Sequence, residues 1–213
     1  MTVRLALTPG RVELIHPPPP EDDIHVLSIY TNPIILTHLP SLPPVITLDD
    51  VARQRIARTT NERYREFRIH HQSGEESLPK VLGVLGFLNI DTANHSADVG
   101  ITIAPEVHRK GYATEALLLL LQHGFSPESE GGLNLHRIAF GTSIHNVGMR
   151  GWLEQTLCAT RESTLREIWK SADGWIDGVG YSILKSEWET AKARLEARLE
   201  KVIPHDRKTQ SMV

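Results

Sequence analysis

The chain has 213 residues, of which 40% are hydrophobic, and its single cysteine, Cys158, excludes an intrachain disulfide framework. The formal net charge of −3 includes no basic surplus, so binding to a nucleic-acid backbone through a broad basic surface is not expected. The longest leucine run, residues 117–121, is far shorter than the roughly 20 apolar residues of a membrane span. The first residues also lack the pattern of a signal peptide. These features predict one domain with one core, in a cytoplasmic protein.

The N-terminal half predicts two strands, two helices and then three strands. The apolar pieces "VRLAL" and "RVELI" are typical of strands, and the proline run that follows, residues 17–20, excludes helix. Acidic residues begin "EDDIHVLSIYTN" and "TLDDVARQRIARTT", which predicts two helices, the second capped by Thr47 with Asp50 at its third position. "YREFRIHH", "KVLGVLGFLNI" and "ADVGITIA" predict consecutive antiparallel strands.

The C-terminal half begins with "YATEALLLLLQHGF", which predicts a well-buried helix. A surface loop, "SPESEGG", and a strand, "LHRIAFGTS", follow it. A short helix, "NVGMRGWLEQ", a hairpin, "LREIWKSADGWIDGVGYSIL", and a charged helix, "SEWETAKARLEARLEKV", complete the pattern. The predicted class is therefore α/β (α+β), with a mixed, largely antiparallel sheet flanked by helices. We expect a single domain over residues 1–203 and a disordered tail over residues 204–213.

The stretch "EVHRKGYATEAL" is the clearest candidate binding site. A strand, a basic loop with His108, Arg109 and Lys110, a glycine and a helix start follow in that order. This order brings unpaired backbone N–H groups and the positive end of a helix dipole together, which is an arrangement that binds anions. Gly111 would let a phosphate approach the backbone. The Walker A motif and the dinucleotide-binding fingerprint are both absent, and a solvated basic turn before a core helix remains an alternative.

This stretch and its surroundings resemble the GNAT superfamily of acetyl-CoA-dependent N-acetyltransferases. "HRKGYA" is similar to the Q/R-x-x-G-x-G/A signature, and "DVGITIAPEVHRKGYATEAL" is similar to the strand, loop and helix around it. "LHRIAFGTSIHN" resembles the next strand of that superfamily, ending in Asn146. The predicted hairpin resembles that of the RimJ/RimL-type branch, with Asp177 and Tyr181 in its Asp-x-x-x-Tyr pattern. That branch acetylates protein N-termini and small amines.

The resemblance implies that acetyl-CoA is the co-substrate and assigns residues to its binding. Backbone groups of the loop and helix start would hold the pyrophosphate, and the residues concerned are His108, Arg109, Lys110, Gly111, Tyr112, Ala113 and Thr114. The pantetheine arm would pair like an extra strand with the backbone of Ile101, Thr102 and Ile103. Asn146 would hydrogen-bond the arm from its other side. Asn146 could equally cap the helix that begins at Val147, and the two roles are compatible.

Acetyl transfer from a thioester to an amine needs orientation, a proton acceptor and stabilisation of the oxyanion. The resemblance implies Asp98 as the base, acting through a water molecule, and Tyr181 is a candidate acid. A backbone N–H group near Ile103 could stabilise the oxyanion. Each side chain has a structural alternative, which is a solvated strand-end carboxylate for Asp98 and a packed strand residue for Tyr181.

Two positions depart from the pattern of the family. His108 stands where Gln or Arg is usual, and Met149 stands where this branch often has a serine that can reach the CoA sulfur. Methionine cannot donate a proton, so cofactor binding is better supported than catalysis. Two hypotheses follow. The first is an N-acetyltransferase in which a primary amine attacks directly in a ternary complex, and the second is a non-catalytic acyl-CoA-binding or interaction module on the same fold.

Other features predict no additional ligand. His70 and His71 alternate faces on a strand and cannot both point into one site, so no metal is expected. We expect no nucleic-acid or membrane partner. The charged C-terminal helix could form a homodimer contact.

Overall fold

The structure is a computed structural model that describes residues 2–39, 42–43, 45–72, 78–171 and 174–202. Its strands are β1 (Val3–Ala6), β2 (Val12–His16), β3 (Arg65–His71), β4 (Val81–Asp91), β5 (Ser96–Ile103), β6 (Arg137–Ser143), β7 (Thr160–Ser171) and β8 (Gly174–Leu184). Its helices are α1 (Asp23–Tyr30), α2 (Pro33–Leu36), α3 (Leu48–Thr59), α4 (Tyr112–Phe125), α5 (Val147–Gly151) and α6 (Trp188–Val202).

The eight strands form one sheet in the order β1-β2-β3-β4-β5-β6-β8-β7. Neighbouring strands are antiparallel except β5 and β6, which run parallel because α4 connects them as a crossover. The prediction of a single domain with a mixed, largely antiparallel sheet is therefore confirmed.

Helix α4 covers one face of the sheet and is in turn covered by α6. All five leucines of the run at residues 117–121 are at most 6% exposed, since the helix has structure on both sides. Phe125 of α4 packs against Trp188 of α6 with 5.3 Å between ring centroids. The predicted burial of this helix is confirmed.

Helices α1 and α3 pack near the opposite face, over a buried charge network. Arg68 of β3 is 1% exposed and donates to Asp23 of α1 and to Glu66 of the same strand. Arg55 and Arg58 of α3 also pair with Asp23 and Glu66, respectively. Buried charges are tolerated when each has an opposite partner and hydrogen bonds, so this network holds both helices to the sheet.

Several local features match or extend the sequence prediction. Thr47 and Asp50 form the expected capping box at the start of α3. Helix α2, which was not predicted, begins at Pro33 behind a capping side chain, Asn32. The predicted short helix is present as α5 but continues as a π-helical segment, Trp152–Leu157. The predicted tail and residues 172–173 of the hairpin turn lie outside the described residues.

Candidate active site

The sheet splits between its two parallel strands, and the split forms a wedge-shaped cleft. The last residues paired between β5 and β6 are Val99 and Phe140. Beyond them, residues 100–103 of β5 pair only with β4, and residues 141–143 of β6 pair only with β8. The end of β5 is therefore an open strand edge inside the molecule, where another extended chain could pair.

The hydrogen-bond alternation of β5 determines which backbone groups face this cleft. The Ala104 N–H donates to the Leu82 carbonyl at 2.8 Å, so Thr102 falls in a hydrogen-bonded pair with Val84 of β4. The backbone groups of Ile101 and Ile103 then point to the open edge. Of the three residues predicted to pair with a pantetheine arm, the structure turns Ile101 and Ile103 towards the cleft and Thr102 towards β4.

The predicted anion-binding loop closes one end of the cleft. Gly111 caps α4 with φ of 86° and gives no side-chain capping bond, and Arg109 is also left-handed with φ of 61°. Within the described part of the chain, the N–H groups of Arg109, Gly111, Ala113 and Thr114 have no hydrogen-bond partner. The loop thus presents a group of free donors at the positive end of a 14-residue helix, as an anion site requires.

The predicted basic side chains of the loop are exposed, and one has a structural role. His108, Arg109 and Lys110 are all exposed. His108 Nε2 lies 2.9 Å from the carbonyl oxygen of Ile103, which fastens the loop to the end of β5. That contact uses the outward carbonyl of Ile103 and leaves its N–H group directed at the cleft.

A brace between β2 and α4 supports the loop from behind and was missed in the sequence. Glu115 is fully buried, and its Oε1 accepts from the backbone N–H groups of Arg11 and Val12 at 2.5 and 3.1 Å. The Arg11 guanidinium donates to Glu115 Oε2 and to the Lys110 carbonyl, each at 3.0 Å, and stacks 4.4 Å from the Tyr112 ring centroid. The available signal was an acidic residue in the first turn of α4, two residues before the leucine run.

The other wall of the cleft is formed by the end of β6 and by α5. Asn146 Oδ1 accepts from the Met149 N–H at 3.1 Å, so its predicted capping role is present in the structure. Its amide nitrogen makes no hydrogen bond to the described residues. Farther along, Trp152 Nε1 donates to Thr114 Oγ1 at 3.1 Å, which ties this wall to the first turn of α4.

The two predicted catalytic side chains are not brought together. Tyr181 lies opposite Phe140 on the face that packs against α4, whereas Asp98 lies opposite Ala139 on the other face. Asp98 is partly exposed and accepts from Asn89 Nδ2 at 2.8 Å. Because they lie on opposite faces, the two side chains cannot approach one bound amine from the same side.

The Tyr181 side chain takes part in a local hydrogen-bond network. Its ring is 1% exposed, and its hydroxyl donates to Glu154 Oε1 at 2.5 Å. Burial and this hydrogen bond raise the pKa of Tyr181, and the neighbouring tyrosine raises the pKa of Arg150. The hydroxyl therefore stays protonated at neutral pH, as the predicted acid requires, but it points at Glu154.

Two further kinds of feature are absent from the residues that the structure describes. They contain no group of three or more His, Cys, Asp or Glu side chains placed to hold a metal ion. No helix among them combines the length and apolar character needed to cross a bilayer.

Solved structures with this architecture define the class of protein. A provisionally assigned acetyltransferase from T. thermophilus has a TM-score of 0.74 and 26% identity, with 92% of this chain and 96% of that chain covered. The spermidine N-acetyltransferase from Vibrio cholerae, solved with CoA and spermine, has a TM-score of 0.67 and 21% identity over 79% of this chain and 93% of its own. The fold is that of acetyltransferases.

Sequence comparisons then identify the family. Residues 11–156 match the family described as "Acetyltransferase (GNAT) domain", and this chain belongs to that family. It is 32% identical over 109 residues to the uncharacterized N-acetyltransferase p20 of Bacillus licheniformis, which covers 51% of this chain and 58% of p20. YdaF of Bacillus subtilis (strain 168), provisionally named a ribosomal N-acetyltransferase, is 30% identical over 116 residues, or 52% of this chain and 57% of YdaF. The matches thus span little more than half of these relatives.

Proposed function

We propose that this protein transfers an acetyl group from acetyl-CoA to a primary amine, as the RimJ/RimL-like branch does with protein N-termini and small amines. The observation that carries the proposal is the cleft itself. An open strand edge at Ile101 and Ile103 leads to free N–H donors at the start of α4. An extended arm that ends in a diphosphate is complementary to both parts.

The roles of individual residues follow from this arrangement. The N–H groups of Arg109, Gly111, Ala113 and Thr114 would hold the pyrophosphate, with His108, Lys110 and Tyr112 shaping the loop around it. The outward groups of Ile101 and Ile103 would pair with the pantetheine arm, and the free amide nitrogen of Asn146 would donate to it from the opposite wall.

The chemistry needs few protein groups. A base takes one proton from the substrate ammonium, and the neutral amine nitrogen forms a bond to the thioester carbonyl carbon. The carbon–sulfur bond then breaks, and the CoA thiolate takes up the second proton that the nitrogen loses as it becomes an amide. A backbone N–H group directed into the cleft beside Ile101 or Ile103 would stabilise the oxyanion. Asp98 lies two residues before Gly100, where the split begins, so we assign it the proton through a water molecule.

The second candidate function is acyl-CoA binding without catalysis. Two observations favour it, since Met149 offers no proton to a leaving thiolate and the Tyr181 hydroxyl is engaged by Glu154. One measurement distinguishes the two functions. It compares the release of free CoA from acetyl-CoA in the presence and in the absence of amines.

Ligand binding and turnover test the proposal in sequence. At a concentration of 100 times its dissociation constant, acetyl-CoA should stabilise the fold by about 2.7 kcal/mol, measured as a rise in the unfolding temperature. A panel of N-terminal peptides and small amines should then show acetyl-CoA-dependent mass gain. An unfolding temperature unaffected by millimolar acetyl-CoA contradicts both functions, and stabilisation without mass gain on any amine favours the second.

A further inference from the structure

On the face of the sheet that carries Asp98, strand positions on both sides of the split are occupied by glycine and lack a side chain. They include Gly100, Gly141, Gly178 and Gly180, and we call these four residues the glycine floor. Gly100 and Gly141 are the first residues after the last β5–β6 pair, so they flank the mouth of the cleft. A Cβ atom added to Gly141 would meet no other atom within 4 Å. Gly141 is therefore bare backbone at the mouth of the cleft, whereas the Ser163 hydroxyl lies over Gly180 and the Leu88 side chain lies against Gly100.

An apolar patch borders this glycine floor. A Cβ atom on Gly178 would lie 2.9 Å from the Ile168 side chain and 3.1 Å from the Trp169 indole, so both groups cover Gly178. Leu165 pairs with Gly178 and points to the same face. Leu165 and Ile168 are 46% and 44% exposed, which is high for aliphatic side chains. We call Leu165, Ile168 and Trp169 the apolar patch.

The register gives the distance from the patch to the reaction centre. Gly141 pairs with Gly180, and Gly178 lies two residues farther along the neighbouring strand on the same face. Such diagonal neighbours are about 7–8 Å apart. The patch therefore starts about 8 Å from the mouth of the cleft. Gly180 and the Ser163 hydroxyl above it lie between them.

We infer that the apolar patch binds the tail of the acceptor, so that the protein selects primary amines carrying an apolar or aromatic group about 8 Å from the reacting nitrogen. This inference rests on the proposed function and names its substrate class. In an extended peptide that distance corresponds to the side chain of the second or third residue. An arylalkylamine with a chain of three or four carbons presents the same chemistry. A polyamine places a second ammonium there, and hydrocarbon and indole surfaces stabilise a charge less than an acidic wall would.

Acceptor selectivity is measured with five amines at saturating acetyl-CoA. Tripeptide amides with Phe at the second or third position and 3-phenylpropylamine carry the tail, whereas glycinamide lacks it and spermidine replaces it with charge. The tailed amines should have kcat/KM values roughly tenfold or more above those of glycinamide and spermidine. The peptide and phenylpropylamine arms distinguish the two sources of the tail.

Two variants and one control localise the effect. Trp169→Ala should raise KM for the tailed amines by about tenfold while leaving glycinamide and the KM for acetyl-CoA unchanged. Gly141→Val adds a side chain over the floor and should raise KM for every amine. Trp175→Ala removes an indole that is 61% exposed on the opposite face of the same hairpin. It should change neither the KM for the amines nor the KM for acetyl-CoA.

The outcomes separate this inference from the proposed function. A preference for spermidine, or equal selectivity in wild type and Trp169→Ala, overturns the inference while leaving acetyl transfer intact. If no amine is acetylated, the proposed function fails, and calorimetric titration of the same amines into the CoA complex decides the inference. Tailed amines that bind no more tightly than glycinamide overturn it there.

Discussion

Replacing the buried Glu115 by leucine should destabilise the domain severely, because its carboxylate satisfies donors on a different element. The substitution leaves the N–H groups of Arg11 and Val12 without an acceptor, and Val12 is fully buried. Each buried unsatisfied donor costs about 1–3 kcal/mol, and the guanidinium of Arg11 loses its counter-charge as well. We expect Glu115→Leu to lower the free energy of unfolding by about 3–5 kcal/mol.

Urea denaturation at pH 7, followed by intrinsic tryptophan fluorescence, measures this loss. A matched control lies on the same hairpin, where Glu13 of β2 pairs with Arg4 in an exposed ion pair at 2.8 Å. Glu13→Leu should cost less than about 1 kcal/mol, as exposed pairs usually do. Glu115→Gln keeps one acceptor oxygen for the two N–H groups, so its loss of unfolding free energy should lie between those of Glu115→Leu and Glu13→Leu. It replaces Glu115→Leu in the experiment if the leucine variant does not fold.

The same brace should act on cofactor binding. Arg11 also donates to the Lys110 carbonyl, so releasing it loosens the loop that presents the N–H donors. We expect Glu115→Gln to weaken acetyl-CoA binding several-fold more than Glu13→Gln does. Equal unfolding free energies for Glu115→Leu and Glu13→Leu would refute the assignment of the brace.

Three further predictions concern pH dependence and the roles of single side chains. Burial, with the charges of Arg65 and His16, lowers the pKa of His123 from 6.5 to about 4. The unfolded chain then binds the extra proton between these values, so stability should fall by up to about 3 kcal/mol as pH drops through that window. His123→Phe should remove this part of the slope in urea titrations at pH 4–7. Asp98→Asn should lower kcat about 10²–10⁴-fold at unchanged acetyl-CoA affinity, with a smaller loss at high pH where more amine is neutral, and full kcat across the pH range would exclude Asp98. Asn146→Ala should weaken CoA binding, by calorimetry, and the fold, by urea titration, each by about 1 kcal/mol. Unchanged CoA affinity would leave Asn146 only its cap.

Much of the fold could be predicted because its signals are local. The capping box at Thr47 and the leucine run of α4 depend on residues close in sequence, and both predictions are confirmed. The π-helical segment after α5 was not predicted. This segment ends at Cys158, which is left-handed with φ of 57°. A glycine usually marks such an end, and Cys158 gives no comparable signal in the sequence.

The candidate site was less readable because its geometry is non-local. The sequence indicated residues 101–103 as a group, but which backbone groups point outwards depends on pairing with β4, as the Ala104–Leu82 hydrogen bond determines. Likewise, the sequence offered Asp98 as a base and Tyr181 as a candidate acid, but only the strand register shows that they lie on opposite faces. The brace joins Arg11 to Glu115 across 104 positions, which no local pattern reveals.

The parallel pairing of β5 and β6, which we call the seam, is short. It divides the sheet into two parts, which we call plates, joined along this narrow region. Strand β6 shares four residue pairs with β5 but seven with β8, so the plate of β6, β8 and β7 is tied to the rest mainly by that seam, α4 and α6. A ligand arm paired along β5 would extend the join and stiffen both plates together. Amide hydrogen exchange should then slow beyond the contact residues, reaching β6 and β8, and a dead-end ligand that binds only the loop of α4 would leave those strands exchanging at their original rate.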